Sequence, residues 1–330
     1  KMKEFARRQY VEKLIRKMHN TKVKIVTGIR RCGKSYLLFE LFVRYLRKNH
    51  VPDERIIRLA LDELPNAKYR NPIELDKHIR AQITDPTSQF YVLIDEIQFV
   101  REIQNPYLDD PTAKLTFIDV LLGWMKIRNV DVYVTGNNSQ MLSSDILTQF
   151  RDRGDEIRVY PLSFAEFVEA YEGNPRNAWL DYYTYGGMPY VLALNTHEEK
   201  SRYLRDLFSL TYLKDIVERY HVQNETFILD DLLDMAASAI GSLTNPTKLA
   251  NTFLSEKQVR INPSTIDRYL KYFTDAFLLH KANRYDLKGK KYLQTPVKYY
   301  FCDTGLRNVR LSFRQQEEKR ALLRFSSPWL

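Results

Sequence analysis

The fold of this chain is decided by one stretch, Gly28-Ile29-Arg30-Arg31-Cys32-Gly33-Lys34-Ser35. It fits the spacing G-x-x-x-x-G-K-[ST] of a phosphate-binding loop without deviation. The segment before it, Val23-Lys24-Ile25-Val26-Thr27, alternates apolar and polar residues and predicts a strand. Behind it, residues 35–48 carry apolar side chains at helical spacing. A strand, a glycine loop and a helix in this order predict that residues 28–35, here called the phosphate loop, bind phosphate.

Glycines let backbone N–H groups curl around an oxyanion, and the following helix adds partial positive charge at its first turn. We expect Lys34 to reach the β- and γ-phosphates of ATP and Ser35 to hold Mg²⁺. A glycine turn with an incidental lysine is the weaker alternative. The predicted nucleotide-binding residues are Gly28, Ile29, Arg30, Arg31, Cys32, Gly33, Lys34, Ser35 and Tyr36.

A second signal is the apolar run 90–94 followed by Asp95 and Glu96. A run that is apolar on both faces predicts a buried parallel strand. We expect Asp95 to join the Mg²⁺ shell and Glu96 to polarise an attacking water, which favours nucleotide hydrolysis over plain phosphate binding. The alternative is a strand that simply leaves the core through acidic residues.

Another strand is predicted at 130–139, with polar amides at its carboxyl end, where ligands lie in open α/β sheets. Asn137 or Asn138 is therefore a candidate to hydrogen-bond the γ-phosphate or the water. Equally, Asn138 and Ser139 fit the cap of a helix over 141–150. Both interpretations stay open at this point.

The remaining pattern of the first half predicts an α/β fold with a parallel sheet. Helices are predicted over 4–18, from Asn71-Pro72 onward and over 114–128, and strands over 55–61 and 156–160.

Composition excludes several protein classes. The 330 residues have 44% hydrophobic and 28% charged content, as expected of a globular chain of two or three domains. The formal net charge of +10 admits a nucleic-acid partner, although a solvated basic surface explains it equally well. Two cysteines, Cys32 and Cys302, cannot build a disulfide framework, which fits a reducing cytoplasm. The charged N-terminus and the lack of a long apolar stretch predict no signal peptide and no membrane partner.

Five stretches together resemble a family of bacterial and archaeal predicted ATPases that join an AAA+ core to a domain of unknown function. They are TGIRRCGKS (27–35), LIDEIQ (93–98), TGNNSQMLSSDI (135–146), RGDEIRVYPLSFAEF (153–167) and YGGMP (185–189). The likeness runs from about residue 20 to about residue 315. It implies a P-loop NTPase sheet with helices on both faces, followed by a helical lid.

The resemblance also implies an arginine finger, which in AAA+ proteins reaches the γ-phosphate of a neighbouring subunit. Arg153 is the candidate, with Arg151 as the alternative. If so, the active form is a homo-oligomer. The other interpretation is a pair of surface arginines at a helix end, where positive charge is favourable anyway.

Residues after Pro161 are predicted to be helical to about residue 220, and three more helices are predicted within 226–276. Two strands, 277–280 and 297–301, flank a basic turn that carries Arg284, Lys288, Lys290 and Lys291. Helices followed by a basic hairpin are typical of a winged helix, which could contact duplex DNA through its phosphates or could serve protein interaction. The predicted domains are 1–160 (ATPase core), 161–222 (lid), 223–302 (winged helix) and 303–330.

The last segment is expected to be the start of a truncated domain, nuclease-like in the resembling family, or a tail; we assign it no nuclease site. The whole pattern predicts Mg-dependent ATP hydrolysis coupled to conformational change. The alternatives are a nucleotide-gated switch with slow hydrolysis and a DNA-binding module that nucleotide regulates. A nucleotide kinase fits less well, because Asp95-Glu96 suits hydrolysis better than transfer.

Overall fold

The computed structural model of the chain describes residues 4–137, 154–222, 226–283 and 297–313. Its backbone divides into two compact units. The sheet unit is Ala6–Val159, and the helical unit is Tyr160–Leu330 together with Lys1–Phe5. The chain therefore passes from one unit to the other after Phe5 and again after Val159.

The sheet unit is built on five parallel strands. They are β1 (Val23–Thr27), β2 (Ile56–Ala60), β3 (Phe90–Asp95), β6 (Val130–Gly136) and β7 (Gly154–Arg158), in the order β2-β3-β6-β1-β7. A separate antiparallel pair consists of β4 (Ile103–Gln104) and β5 (Lys114–Leu115). In the register, Thr27 lies opposite Gly136 and Ile94 opposite Val134. The carboxyl ends of β1, β3 and β6 thus meet at one edge of the sheet.

Helices cover both faces of this sheet, as the sequence predicts. They are α1 (Arg8–Arg16), α2 (residues 34–48, π-helical over Leu37–Phe42), α3 (Pro72–Gln82) and α4 (Phe117–Trp124). On one face α3 and α4 contribute Ile79 and Trp124 to the main hydrophobic core. On the other face Phe42 of α2 packs on Tyr133, with ring centres 4.6 Å apart.

Several predicted boundaries are wrong: the helix expected over 4–18 spans only Arg8–Arg16, and two others differ for a visible reason. The helix expected over 114–128 begins only at Phe117, because Lys114 and Leu115 form β5 and Thr116 caps the helix through a hydrogen bond from the Ile118 N–H. The strand expected over 156–160 spans Gly154–Arg158, since those residues pair one-to-one with β1. The predicted cap of α3 is confirmed: Asn71 Oδ1 accepts from the Ile73 N–H at 2.9 Å.

A buried ion pair crosses β1 and β6 near their amino ends. Lys24 Nζ donates to Asp131 Oδ1, and the two side chains are 0% and 3% exposed. Asp131 Oδ2 also accepts from the Tyr133 hydroxyl at 2.8 Å and from the His19 N–H at 3.1 Å. Burial lowers the pKa of Lys24, and Asp131 opposes that change. The lysine is tolerated inside the sheet because this carboxylate faces it.

The helical unit contains the predicted helices. They are α5 (Phe164–Glu169), α6 (Pro175–Tyr185), α7 (residues 197–220, π-helical over Leu207–Leu213), α8 (Thr226–Ser238), α9 (Pro246–Lys257), α10 (Pro263–Asp275) and α11 (Thr304–Arg310). The predicted strand pair is antiparallel, as β8 (Leu279–Ala282) and β9 (Lys298–Phe301), and β8 begins two residues later than the predicted 277–280. Among the helices of the described residues, none is long and apolar enough to cross a membrane.

Asp303 joins α11 to the end of α6. Its Oδ2 accepts from the Gly187 N–H at 2.6 Å and its Oδ1 from the Leu306 N–H at 3.1 Å. Gly186 has a left-handed φ of 73°, and a Cβ there would come within 2.0 Å of Asp303 Oδ1. Residues 303–313 are therefore packed within the helical unit.

This junction makes the stability of the helical unit depend on pH. Burial raises the pKa of Asp303 to about 6, although the N–H groups of Gly187, Leu306 and Gly305 oppose the rise. The unfolded chain loses this proton near pH 4, roughly the value of a free Asp side chain. Between these two values the folded state binds more protons, so the free energy of unfolding falls as the pH rises from about 4 to about 6.

We therefore expect the stability of the natural chain relative to an Asp303→Asn variant to fall by roughly 2–3 kcal/mol across that interval. The measurement is urea unfolding of both proteins at half-unit steps from pH 4 to pH 7. A difference that does not change with pH would show that Asp303 titrates alike in the folded and unfolded chains.

Candidate nucleotide-binding site

The phosphate loop joins β1 to α2 at the edge where β1, β3 and β6 end. Gly28 has a φ of 146°, and a Cβ added to it would lie 2.1 Å from the carbonyl oxygen of Val159. Any side chain there would meet backbone that cannot move aside. Glycine is therefore required at the first position of the loop by packing as well as by conformation.

Lys34 is 3% exposed and is held by the loop itself. Its Nζ donates to the carbonyl oxygens of Gly28 at 3.1 Å and Ile29 at 3.2 Å. The side chains of Ile29 and Cys32 are buried, so these residues can offer a ligand only their backbone. Of the other predicted loop residues, Ser35 and Arg31 are exposed, whereas Arg30, Gly33 and Tyr36 are partly buried.

Asp95 is the last residue of β3 and Glu96 follows it, and both are buried. Thr135 of β6 connects them: its hydroxyl donates to Asp95 Oδ1 and accepts from the Glu96 N–H at 2.9 Å. One side chain thus fixes the Asp95 carboxylate and the backbone of Glu96. Thr135 was not predicted as a site residue; the signal was a polar side chain inside an otherwise buried strand, two residues before Asn137.

The Glu96 carboxylate lies within electrostatic range of the phosphate loop. Burial raises its pKa, and the positive charges of Lys34 and Arg30 oppose the rise. Gln98 Nε2 donates to Glu96 Oε2 and orients the carboxylate. Glu96 itself has a left-handed φ of 55°, which turns the chain sharply out of β3.

Other predicted site residues have different outcomes. Asn137 is buried directly after Gly136, the residue opposite Thr27 at the end of β1, so it lies at the predicted edge of the sheet. Asn138 and both finger candidates, Arg151 and Arg153, lie outside the described residues. The basic turn with Arg284, Lys288, Lys290 and Lys291 also lies outside them. The roles of all these residues stay predictions.

The donor set fits Mg²⁺. An exposed hydroxyl on Ser35 and a buried carboxylate on Asp95 are hard oxygen ligands, and Mg²⁺ is usually held by one or two such groups together with phosphates. Because Thr135 fixes one carboxylate oxygen of Asp95, this group is oriented without any metal.

Arg7 is a second residue that the sequence did not single out. It is 2% exposed, and its Nη2 donates to the carbonyl oxygen of Cys32 in the phosphate loop at 2.5 Å. It stands among other basic residues at the N-terminus, 25 positions before its partner. No local pattern distinguishes it from its neighbours.

Known proteins resemble the chain along nearly its whole length. Residues 20–168 match the family model of an AAA domain, and residues 176–317 match a domain of unknown function (DUF8612). An uncharacterized protein of Haemophilus influenzae is 32% identical over 314 residues, which are 92% of this chain and 72% of the relative. The chain belongs to the same protein family as this relative, and the AAA-domain match lies in its residues 20–168.

Two further proteins are similar to the chain at lower identity. An uncharacterized protein of Methanocaldococcus jannaschii is 27% identical over 320 residues, which cover 91% of this AAA-domain chain and 65% of the relative. The solved structure of the Walker-type ATPase PABY2304 of Pyrococcus abyssi superposes with a TM-score of 0.61 at 16% identity. That superposition covers 93% of this chain and 96% of the other, so the two share a fold.

Proposed function

We propose that this AAA-domain chain binds Mg-ATP at the edge of the sheet and hydrolyses it. The observation that carries the proposal is that Lys34 and Glu96 both lie at the carboxyl edge of the parallel sheet. The lysine lies on the phosphate loop after β1, and the carboxylate follows β3, yet their charges interact. Both groups stand where strands on either side of β6 end, which supports a site with one group to hold phosphate and one to receive a proton from water.

The proposed chemistry divides among residues of the sheet unit. Loop N–H groups and Lys34 would hold the β- and γ-phosphates. Glu96, oriented by Gln98, would accept a proton from the water that attacks the γ-phosphorus, and ADP would leave. Ser35 and Asp95 would hold Mg²⁺, which neutralises phosphate charge when bound.

The wider role is also proposed from the predicted elements. Arg153, or else Arg151, would complete the site of a neighbouring copy, which makes a homo-oligomer the active form. The segment of α8, α9, α10, β8 and β9 would engage duplex DNA or another partner in the manner of a winged helix. Its order of three helices and an antiparallel strand pair supports this part of the proposal.

The direct test is to measure ATP binding and ATP turnover by the purified chain beside a Lys34→Ala variant. Lys34→Ala removes the proposed charge-assisted contact between the lysine ammonium and the phosphates, which is expected to weaken ATP binding about 10- to 100-fold. Lys48→Ala is the matched control, because Lys48 is an exposed lysine at the end of the same helix.

Three results separate the alternatives. Steady turnover that Lys34→Ala impairs supports the proposed ATPase. Tight binding with negligible turnover would favour the nucleotide-gated switch instead. Equal ATP affinity in the natural chain and in Lys34→Ala would contradict both functions.

A further inference from the structure

Arg7 lies against the phosphate loop from inside the protein. Its guanidinium donates to the Cys32 carbonyl oxygen at 2.5 Å, and its Cζ is 5.2 Å from the centre of the Tyr10 ring. The side chain is 2% exposed. Because burial of a permanently charged group is costly, a contact of this kind persists only where the surroundings are built to hold it.

The contact determines how one peptide group of the loop is turned. In a trans peptide the C=O and the following N–H point in opposite directions. The carbonyl of Cys32 points toward Arg7, so the N–H of Gly33 points away from it. Gly33 is also the N-cap of α2, where the first N–H groups have no acceptor within the helix and are available to an anion.

Arg7 also adds positive charge at the loop. Burial raises the pKa of the Cys32 thiol, while the charges of Lys34 and Arg7 both act to lower it. The field of Arg7 therefore reaches the same loop residues that Lys34 influences. An anion bound by the loop would feel both charges.

Both chain ends of the sheet unit contact the phosphate loop. Arg7 is the second residue of the unit, and Val159 is its last. The carbonyl oxygen of Val159 accepts from the Cys32 Sγ at 3.5 Å and blocks any side chain at Gly28. The geometry of the loop is thus constrained at Gly28 and at Cys32 by residues far from it in sequence.

We propose that Arg7 is a positioning residue for nucleotide binding, which holds the Cys32 carbonyl so that the Gly33 N–H faces the phosphates. The inference rests on the proposed function, since it assumes that the loop binds a nucleotide. Arg7 would thus take part in phosphate recognition from the N-terminal segment. It would act indirectly, through the backbone of the phosphate loop.

The test is isothermal calorimetry with ADP, because it reports the dissociation constant and the fraction of binding-competent protein separately. In Arg7→Met, which keeps the length of the side chain, we expect the dissociation constant for ADP to rise about 10- to 100-fold with unchanged stoichiometry. Arg8→Met is the matched control; this exposed neighbour carries the same charge and should leave ADP affinity unchanged.

A purely structural role would give another result. If Arg7→Met only reduces the amount of folded protein, the stoichiometry falls and the dissociation constant of the remaining protein does not change. That result overturns the proposal. If Arg7→Met does not fold, Arg7→Lys carries the test. Lysine keeps a donor and a positive charge but lacks the planar guanidinium, so we expect the dissociation constant for ADP to rise about 3- to 10-fold. An ADP affinity equal to that of the natural chain overturns the proposal.

The failure of this inference can be told apart from failure of the proposed function. If Lys34→Ala weakens ADP binding and Arg7→Met does not, the positioning role alone is wrong. If the natural chain binds no ADP, the proposed function is wrong and the role of Arg7 falls with it.

Discussion

Replacement of Glu96 by Gln is expected to lower steady-state ATP turnover by at least about 100-fold while ATP still binds, since a positioned general base contributes roughly 10²–10⁴ in rate. Glutamine has the shape of glutamate but accepts no proton from water. The amide can still accept the hydrogen bond from Gln98, and Lys34 keeps its contacts with the loop. Binding and chemistry are therefore expected to separate in this variant.

The measurement pairs a phosphate-release assay with the affinity for an ATP analogue that resists hydrolysis. Glu102→Gln is the control, because Glu102 is an exposed carboxylate six residues further on that pairs with Lys114 at the surface. Turnover of Glu96→Gln at the rate of the natural chain would show that Glu96 does not activate the water. Parallel loss of binding would assign Glu96 a structural role.

Replacement of Asp131 by Asn is expected to destabilise the sheet unit by about 3–5 kcal/mol, because it leaves the ammonium of Lys24 buried without its counter-charge. The Asn amide keeps an oxygen that can accept from the Tyr133 hydroxyl and from the His19 N–H. The decrease in the free energy of unfolding therefore reports mainly on the lost negative charge. Lys24 is 0% exposed and cannot reach water without opening β1.

Trp124 reports on this unit, since it is buried in the core of the sheet. Urea unfolding is followed by its fluorescence, with Trp179 and Trp329, the other two tryptophans, replaced by Phe. Adding Lys24→Met to Asp131→Asn removes both charges and should recover most of the stability. Asp53→Asn, which breaks the exposed pair with Arg47, should not change the free energy of unfolding. Equal effects of Asp131→Asn and Asp53→Asn would contradict a special role for the buried pair.

Local patterns predicted much of the fold. The strands β1, β2, β3 and β6 were predicted from short apolar runs: β1 was assigned from alternation, and β3 from a run that is apolar on both faces. The cap of α3 at Asn71 was predicted because a cap is a contact between neighbours in the chain. The start of α4 was missed, because Lys114 and Leu115 pair with β4, about ten residues earlier, and helical spacing cannot show such pairing.

The candidate site divides in the same way. The amino-acid sequence by itself determined the phosphate loop and the acidic end of β3, since each is a short motif in its own strand context. Only the tertiary structure decided which side chains support them: Thr135 across the neighbouring strand, and Arg7 against Cys32. The physical reason is that these contacts join residues that are close in space but far apart in sequence. No local sequence pattern around Thr135 or Arg7 indicates which residue it contacts.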